Sequence, residues 1–199
     1  MPDGPTSSFR STRTLRGEPP LVPGVGRLWV QRACEDDPRR CTGRKLLSLG
    51  LAEEFRGSRR PPAGVLLLDP HAETPLSDRD RPAAHASGIL VVDCSWNRLG
   101  ARAGFPPGLP RPPSPALHRR LPFLLAGNPQ HFGRIGELNT AEALGAGLYL
   151  TFGAREAETF FLRFTGGRSF LELNRERLRA YGACPGPGEV RSLERAFFP

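Results

Sequence analysis

Ile89-Leu90-Val91-Val92 places four apolar, mostly β-branched residues in a row, and Asp93-Cys94-Ser95-Trp96 follows without a spacer. An apolar run of this length, with no polar alternation, reads as a strand buried on both faces. Such strands belong to parallel sheets covered by helices. Val65-Leu66-Leu67-Leu68, ended by Asp69-Pro70, has the same character, and Leu28-Trp29-Val30-Gln31-Arg32-Ala33 predicts an earlier strand. Helical spacing of apolar residues appears from Lys45 to Phe55 (KLLSLGLAEEF), Thr140 to Thr151 (TAEALGAGLYLT), Ala157 to Phe164 (AETFFLRF) and Ser169 to Tyr181 (SFLELNRERLRAY). Asn139 or Thr140 suits the N-cap of the Thr140 helix, and Glu142 suits its first turn. The pattern predicts an α/β N-terminal half and a mainly helical C-terminal half.

Composition divides the chain further. Residues 1–26 carry Pro, Gly, Ser, Thr and Arg without apolar periodicity and read as a disordered basic arm. Residues 27–98 read as the α/β domain, with an Asp/Pro/Arg loop facing RNA. Residues 99–116 (LGARAGFPPGLPRPPSPA) are rich in proline, which denies backbone donors, and so form a surface insertion. Residues 117–184 read as a mainly helical, cofactor-binding domain, and residues 185–199, again opening with Pro and Gly, as a tail. There is no internal repeat.

The 199 residues are 38% hydrophobic and 24% charged, enough to bury a core. No run of 18 apolar residues is present, which excludes a transmembrane helix, and no signal-peptide pattern opens the chain. The expectation is a cytoplasmic protein with no membrane partner. Net charge is +8, and Lys45 is the only lysine. Two readings of the arginine excess stay open: a polyanion partner, since guanidinium groups fork onto phosphate, or the codon bias of a GC-rich genome. Cys34, Cys41, Cys94 and Cys184 lack the paired CxxC spacing that zinc prefers, so buried reduced thiols are expected and no metal.

In α/β sheets, ligands bind beyond the carboxyl ends of the strands. Two such ends carry chemistry here, at Leu68-Asp69-Pro70 and at Val92-Asp93-Cys94-Ser95-Trp96. Asp93 reads either as a ligand-pocket carboxylate or as the N-cap of a following helix. Trp96 reads as a platform or as core.

Five segments in order go further: DPRRCTGRKL (Asp37 to Leu46), VVDCSW (Val91 to Trp96), LPFLLAGNP (Leu121 to Pro129), LNTAEALGAGLYL (Leu138 to Leu150) and FLELN (Phe170 to Asn174). Together they resemble the ribosome-maturation aminocarboxypropyltransferases of archaea and eukaryotes, across roughly residues 28–181. The resemblance implies a SPOUT-like knotted α/β fold and a monomer. It also implies transfer of the 3-amino-3-carboxypropyl group of S-adenosylmethionine to N3 of an N1-methylpseudouridine in small-subunit rRNA of the pre-ribosomal subunit. Methylthioadenosine is the by-product. Such chemistry needs no metal, because the neighbouring sulfonium already activates the γ-carbon, and the protein acts chiefly by orientation.

The same resemblance assigns roles. Thr42 would hydrogen-bond the amino-acid group, and Thr140, at a helix N-terminus, the cofactor carboxylate. Val92, Leu121 and Gly136 would offer backbone contacts to the nucleoside, and Leu68 and Trp96 apolar walls. Asp93 would position the ammonium or accept the N3 proton. Apart from the resemblance, the charge run Arg39, Arg40, Arg44 and Lys45 around Thr42 reads either as a solvated face or, bordering the proposed site, as contacts to RNA phosphates. Against the family pattern, Asp36 stands where Cys is common, Gly136 where an aromatic is frequent, and Asn139 for a usual Ser. His131-Phe132-Gly133 stands for Asn-Tyr-Gly, a change that bears on base specificity. A methyltransferase of the same class and a non-catalytic assembly factor are the alternatives.

Overall fold

The computed structural model describes residues 25–33, 41–56, 60–95, 112 and 115–199. The chain runs through β1 (Leu28–Arg32), α1 (Thr42–Ser48), β2 (Glu53–Glu54), β3 (Leu66–Leu68), a 3₁₀ turn (Asp78–Asp80), α2 (Arg81–Ser87), β4 (Ile89–Asp93) and β5 (Leu117–Arg119). It then continues in α3 (Thr140–Thr151), α4 (Ala154–Phe161), α5 (Gly167–Leu173), α6 (Arg175–Gly182) and α7 (Pro187–Phe197). The strands form one sheet in the order β2-β1-β4-β3-β5, and every pairing is parallel. No helix among the described residues is long and apolar enough to cross a membrane.

Two-faced burial of the apolar runs explains the sheet. Leu28, Val30, Leu66, Leu68, Ile89 and Val91 point into the main core beneath the helices. Their alternates Trp29, Leu67 and Leu90 join Phe55 and Val65 on the other face. A strand wet on one face would need polar residues at every second position, and β4 has none before Asp93.

α3 lies against β4 with its N-terminus at the carboxyl edge of the sheet. Thr140 meets Asp93 there, and at the far end the carbonyl of Thr151 lies 3.1 Å from His85 Nε2. Small residues allow this close approach. A Cβ on Gly147 would come within 3.2 Å of Leu68, and one on Gly145 within 2.0 Å of the Phe161 ring, so α4 packs against α3 almost backbone to ring.

Several expectations need correction. Leu117–Arg119 is not the opening of a helical domain; it adds to the sheet beside β3, and one core spans both halves. Residues 185–199 are no tail. Pro187 starts α7, where its missing N–H costs nothing, and Val190 and Glu194 turn inward. The 45–55 helix stops at Ser48, because Gly50 takes φ +68° and Glu53–Glu54 pairs with β1. The 169–181 helix breaks at Asn174, whose side chain bonds other backbone. Val25 is buried in the core, so the fold begins before residue 27. The remainder of the arm (1–24), most of the Pro-rich insertion, and Cys34, Arg39, Arg40 and Trp96 lie outside the described residues.

Candidate active site

Asp93 closes β4 at the carboxyl edge of the sheet, and both its side-chain oxygens are engaged. Oδ1 accepts from the Thr140 hydroxyl at the start of α3. Oδ2 accepts from the Cys41 thiol at 3.0 Å, and Cys41 is itself the N-cap of α1, receiving the Arg44 N–H at 3.3 Å. Asp93 therefore braces the first turns of two helices, and the segment from residue 96 that it might cap lies outside the described residues. Gly43 makes room for this. A Cβ there would stand 2.5 Å from Asp93 Oδ2. Burial, reinforced by the Asp93 carboxylate, pushes the Cys41 thiol above its ordinary pKa, so it stays a donor at neutral pH.

The α3 N-terminus is built as a capping box. Asn139 Oδ1 accepts the Glu142 N–H at 2.9 Å, and Glu142 Oε2 accepts the Asn139 N–H at 2.9 Å. Glu142 is buried and also receives Asn128 Nδ2 at 2.8 Å and the Gly127 N–H at 3.0 Å. Its burial raises the carboxyl pKa, while these donors pull it back.

Residues 121–128 contain no regular element, so their backbone groups need partners elsewhere. Side chains from the C-terminal helices supply them. Glu194 accepts the Phe123 N–H at 3.1 Å and pairs with Arg120 through both carboxylate oxygens. The Tyr181 hydroxyl donates to the Phe123 carbonyl at 3.2 Å. Asn174, fully buried, bonds both the N–H and the carbonyl of Leu125 at 2.8 Å. Leu121 thus sits in a segment fixed from α6, α7 and the α5–α6 junction.

Gly136 adopts φ +76°, with nothing within 4 Å of where a Cβ would stand, so its backbone is open to approach. Its N–H is already given to the Leu124 carbonyl at 2.8 Å, and its carbonyl receives the Leu138 N–H at 2.8 Å. The carbonyl's second lone pair is what it can offer a ligand. Leu68, at the carboxyl end of β3, is buried in the core. Arg44 is exposed, and Lys45 lies with Nζ 5.1 Å from the Phe164 ring centroid.

Comparison with known proteins places the chain among others of known kind. Residues 66–198 match the family model described as "Ribosome biogenesis protein, C-terminal". The 16S rRNA aminocarboxypropyltransferase of Methanopyrus kandleri is 42% identical over 170 residues, spanning 85% of this chain and 97% of its own. That of Halobacterium salinarum is 41% identical over 170 residues, with 85% and 95% covered. This chain belongs to the 16S rRNA aminocarboxypropyltransferase family. Among solved structures, the SAM-dependent rRNA:acp-transferase Tsr3 from Vulcanisaeta distributa superposes with a TM-score of 0.71 at 31% identity, covering 86% of this chain and 97% of that one.

For a member of this family, the fold brings Asp93, Thr140 and Thr42 to one edge, Thr42 lying one residue past Cys41. Cys41 itself was not among the expected site residues. Its signal was only its place in RCTG, next to Thr42, and a thiol with no paired cysteine reads as core. Asn174 and Glu194 were likewise not expected at the site, because each acts through backbone distant in sequence, and Glu142, expected only in the first turn of its helix, also reaches the Gly127 N–H.

Proposed function

We propose that this protein transfers the 3-amino-3-carboxypropyl group of S-adenosylmethionine to N3 of an N1-methylpseudouridine in small-subunit rRNA, releasing methylthioadenosine. The observation that carries this is the match to relatives named for that transfer over 85% of the chain, with Asp93 at the sheet edge where such a ligand would sit. The pre-ribosomal subunit as substrate, a monomeric enzyme, a cytoplasmic location and a SPOUT-like knotted path are part of the same proposal.

The residues present suit the co-substrate. The Asp93 carboxylate offers an acceptor for an ammonium group, and the first turn of the twelve-residue α3 offers a positive dipole end for a carboxylate. Gly136 presents open backbone, and Leu68 and Leu121 supply apolar contact. When bound, S-adenosylmethionine supplies a γ-carbon made electrophilic by the adjacent sulfonium. The protein's part is orientation: Thr42, Asp93 and the N–H groups at the start of α3 would hold the amino-acid end, the Thr140 hydroxyl being given to Asp93, while Val92, Leu121 and Gly136 would hold the nucleoside. Trp96 completes the apolar wall in this reading. In the alternative role, the Asp93 carboxylate, oriented by Cys41 and Thr140, would accept the N3 proton instead of holding the ammonium. Arg39, Arg40, Arg44 and Lys45 would meet the RNA backbone, with Lys45 steadied over Phe164.

The test is incubation with unmethylated or N1-methylated rRNA loop and co-substrate labelled in the carboxypropyl chain. Label in the methylated RNA with methylthioadenosine released supports the proposal. Release of S-adenosylhomocysteine would show a methyltransferase instead, and no binding of the co-substrate at all would leave an assembly factor.

A further inference from the structure

The hairpin after residue 123 holds a large aromatic side chain out in solvent. Phe132 is 66% exposed, at the turn where residues 124–126 fold back on 133–136, and Ile135 in the same hairpin is 50% exposed. This turn is well tied. The Ala126 N–H bonds the Arg134 carbonyl at 2.9 Å, the Gly133 N–H bonds the Ala126 carbonyl at 2.8 Å, and the His131 N–H bonds Asn128 Oδ1 at 3.1 Å. Gly133, at φ +78°, makes the reversal. The exposure of Phe132 is therefore a property of an ordered turn, and nothing in the hairpin's own packing uses the ring.

Position and charge say what could use it. The loop of the hairpin is held by Glu142 through Gly127 and Asn128, and Glu142 stands two residues along α3 from Thr140, which meets Asp93. One cation, Arg134, stands two residues past the ring. The Arg134 side chain is 63% exposed, and Glu137 is occupied by His131 and Arg134. A base modified at N3 must leave its pairing partner and its stack, which opens the faces of its neighbours. Single-stranded RNA loops are held by aromatic rings stacked on such faces, with cations on the phosphates. The net charge of +8, and a family whose named substrate is 16S rRNA, favour nucleic acid over a protein as what covers the ring, with the exposed Arg134, bonded to Glu137 at 3.2 Å, beside it.

We propose that Phe132 is a stacking platform for an unpaired base of the substrate RNA next to the modified uridine, with Arg134 on the adjoining phosphate. This rests on the function proposed above, in that it takes an rRNA loop as the substrate. It makes Phe132 a specificity residue that touches RNA and not the co-substrate.

The test compares the full chain with Phe132→Ala and Phe132→Tyr, using a methylated small-subunit rRNA stem-loop and a fully paired RNA of equal length. Phe132→Ala is expected to weaken stem-loop binding and raise KM for RNA by about tenfold, with Phe132→Tyr near wild type. Binding to paired RNA, co-substrate affinity and melting temperature should stay unchanged. Stem-loop binding by Phe132→Ala equal to wild type would overturn the inference, whether or not transfer occurs. An effect seen only with intact subunits and absent with naked RNA would overturn it in favour of a protein contact. If wild type binds the stem-loop through Phe132 but transfers nothing, the proposed function fails and the stacking role stands. If wild type does not bind the stem-loop, both fall.

Discussion

Asp93 is a strand end whose side chain joins two helices that are far apart in sequence. Gly43 is the residue that permits it, since any Cβ there would collide with the carboxylate. Gly43→Ala is expected to push Asp93 off Cys41 and Thr140 and to weaken S-adenosylmethionine binding by about tenfold, roughly 1.4 kcal/mol, as read by calorimetry. Unchanged affinity would remove Asp93 from the site. The Cys41 thiol makes a second prediction. Burial and Asp93 raise its folded-state pKa above the ordinary 9.0, so its contribution to stability is complete below that value and lost as pH rises through the higher one. Urea midpoints measured across that window should fall with pH in the wild type, and the fall should be shallower in Cys41→Ser.

At the scale of elements, α7 anchors the irregular segment that leads into the site. Glu194 is 4% exposed and gathers Arg120 and the Phe123 N–H, so removing it leaves a half-buried cation and a backbone donor without their carboxylate. Glu194→Ala is expected to cost about 3–5 kcal/mol of stability in urea unfolding. A loss below about 1 kcal/mol would mean that water replaces the carboxylate and that α7 merely covers the core. The same logic explains why composition misreads 185–199. Gly and Pro lower the local helical signal, while the reasons for the helix are Val190 against the core and Glu194 against a segment seventy residues away.

The whole molecule behaves as one core around one sheet. β5 comes from beyond the Pro-rich segment yet pairs with β3, and α3 covers β4, so the two halves share their buried contacts. Unfolding is expected to be a single transition. In a Trp96→Phe background, fluorescence of Trp29, which is 1% exposed within the sheet, should change at the same urea midpoint as the far-ultraviolet signal of the helices. Separate midpoints would restore two domains divided near residues 98 and 117.

Local sequence determined the elements whose cause is local. The β4 run is apolar at every position, so no alternative but two-faced burial suits it, and the Asn139–Glu142 capping box marks the start of α3 within four residues. The carboxyl-edge location of Asp93 followed from the same run. The tertiary structure alone decided what Asp93 touches, because Cys41 and Thr140 lie 52 and 47 residues away in the chain. It also decided that His118, ahead of two arginines, stands in a strand, and that Asn174, Tyr181 and Glu194 satisfy the backbone of 123–125. Hydrogen bonds between distant side chains and backbone leave no periodicity to read. Asp93 was legible as a residue at a strand end, and its two partners became legible only when the helices closed over it.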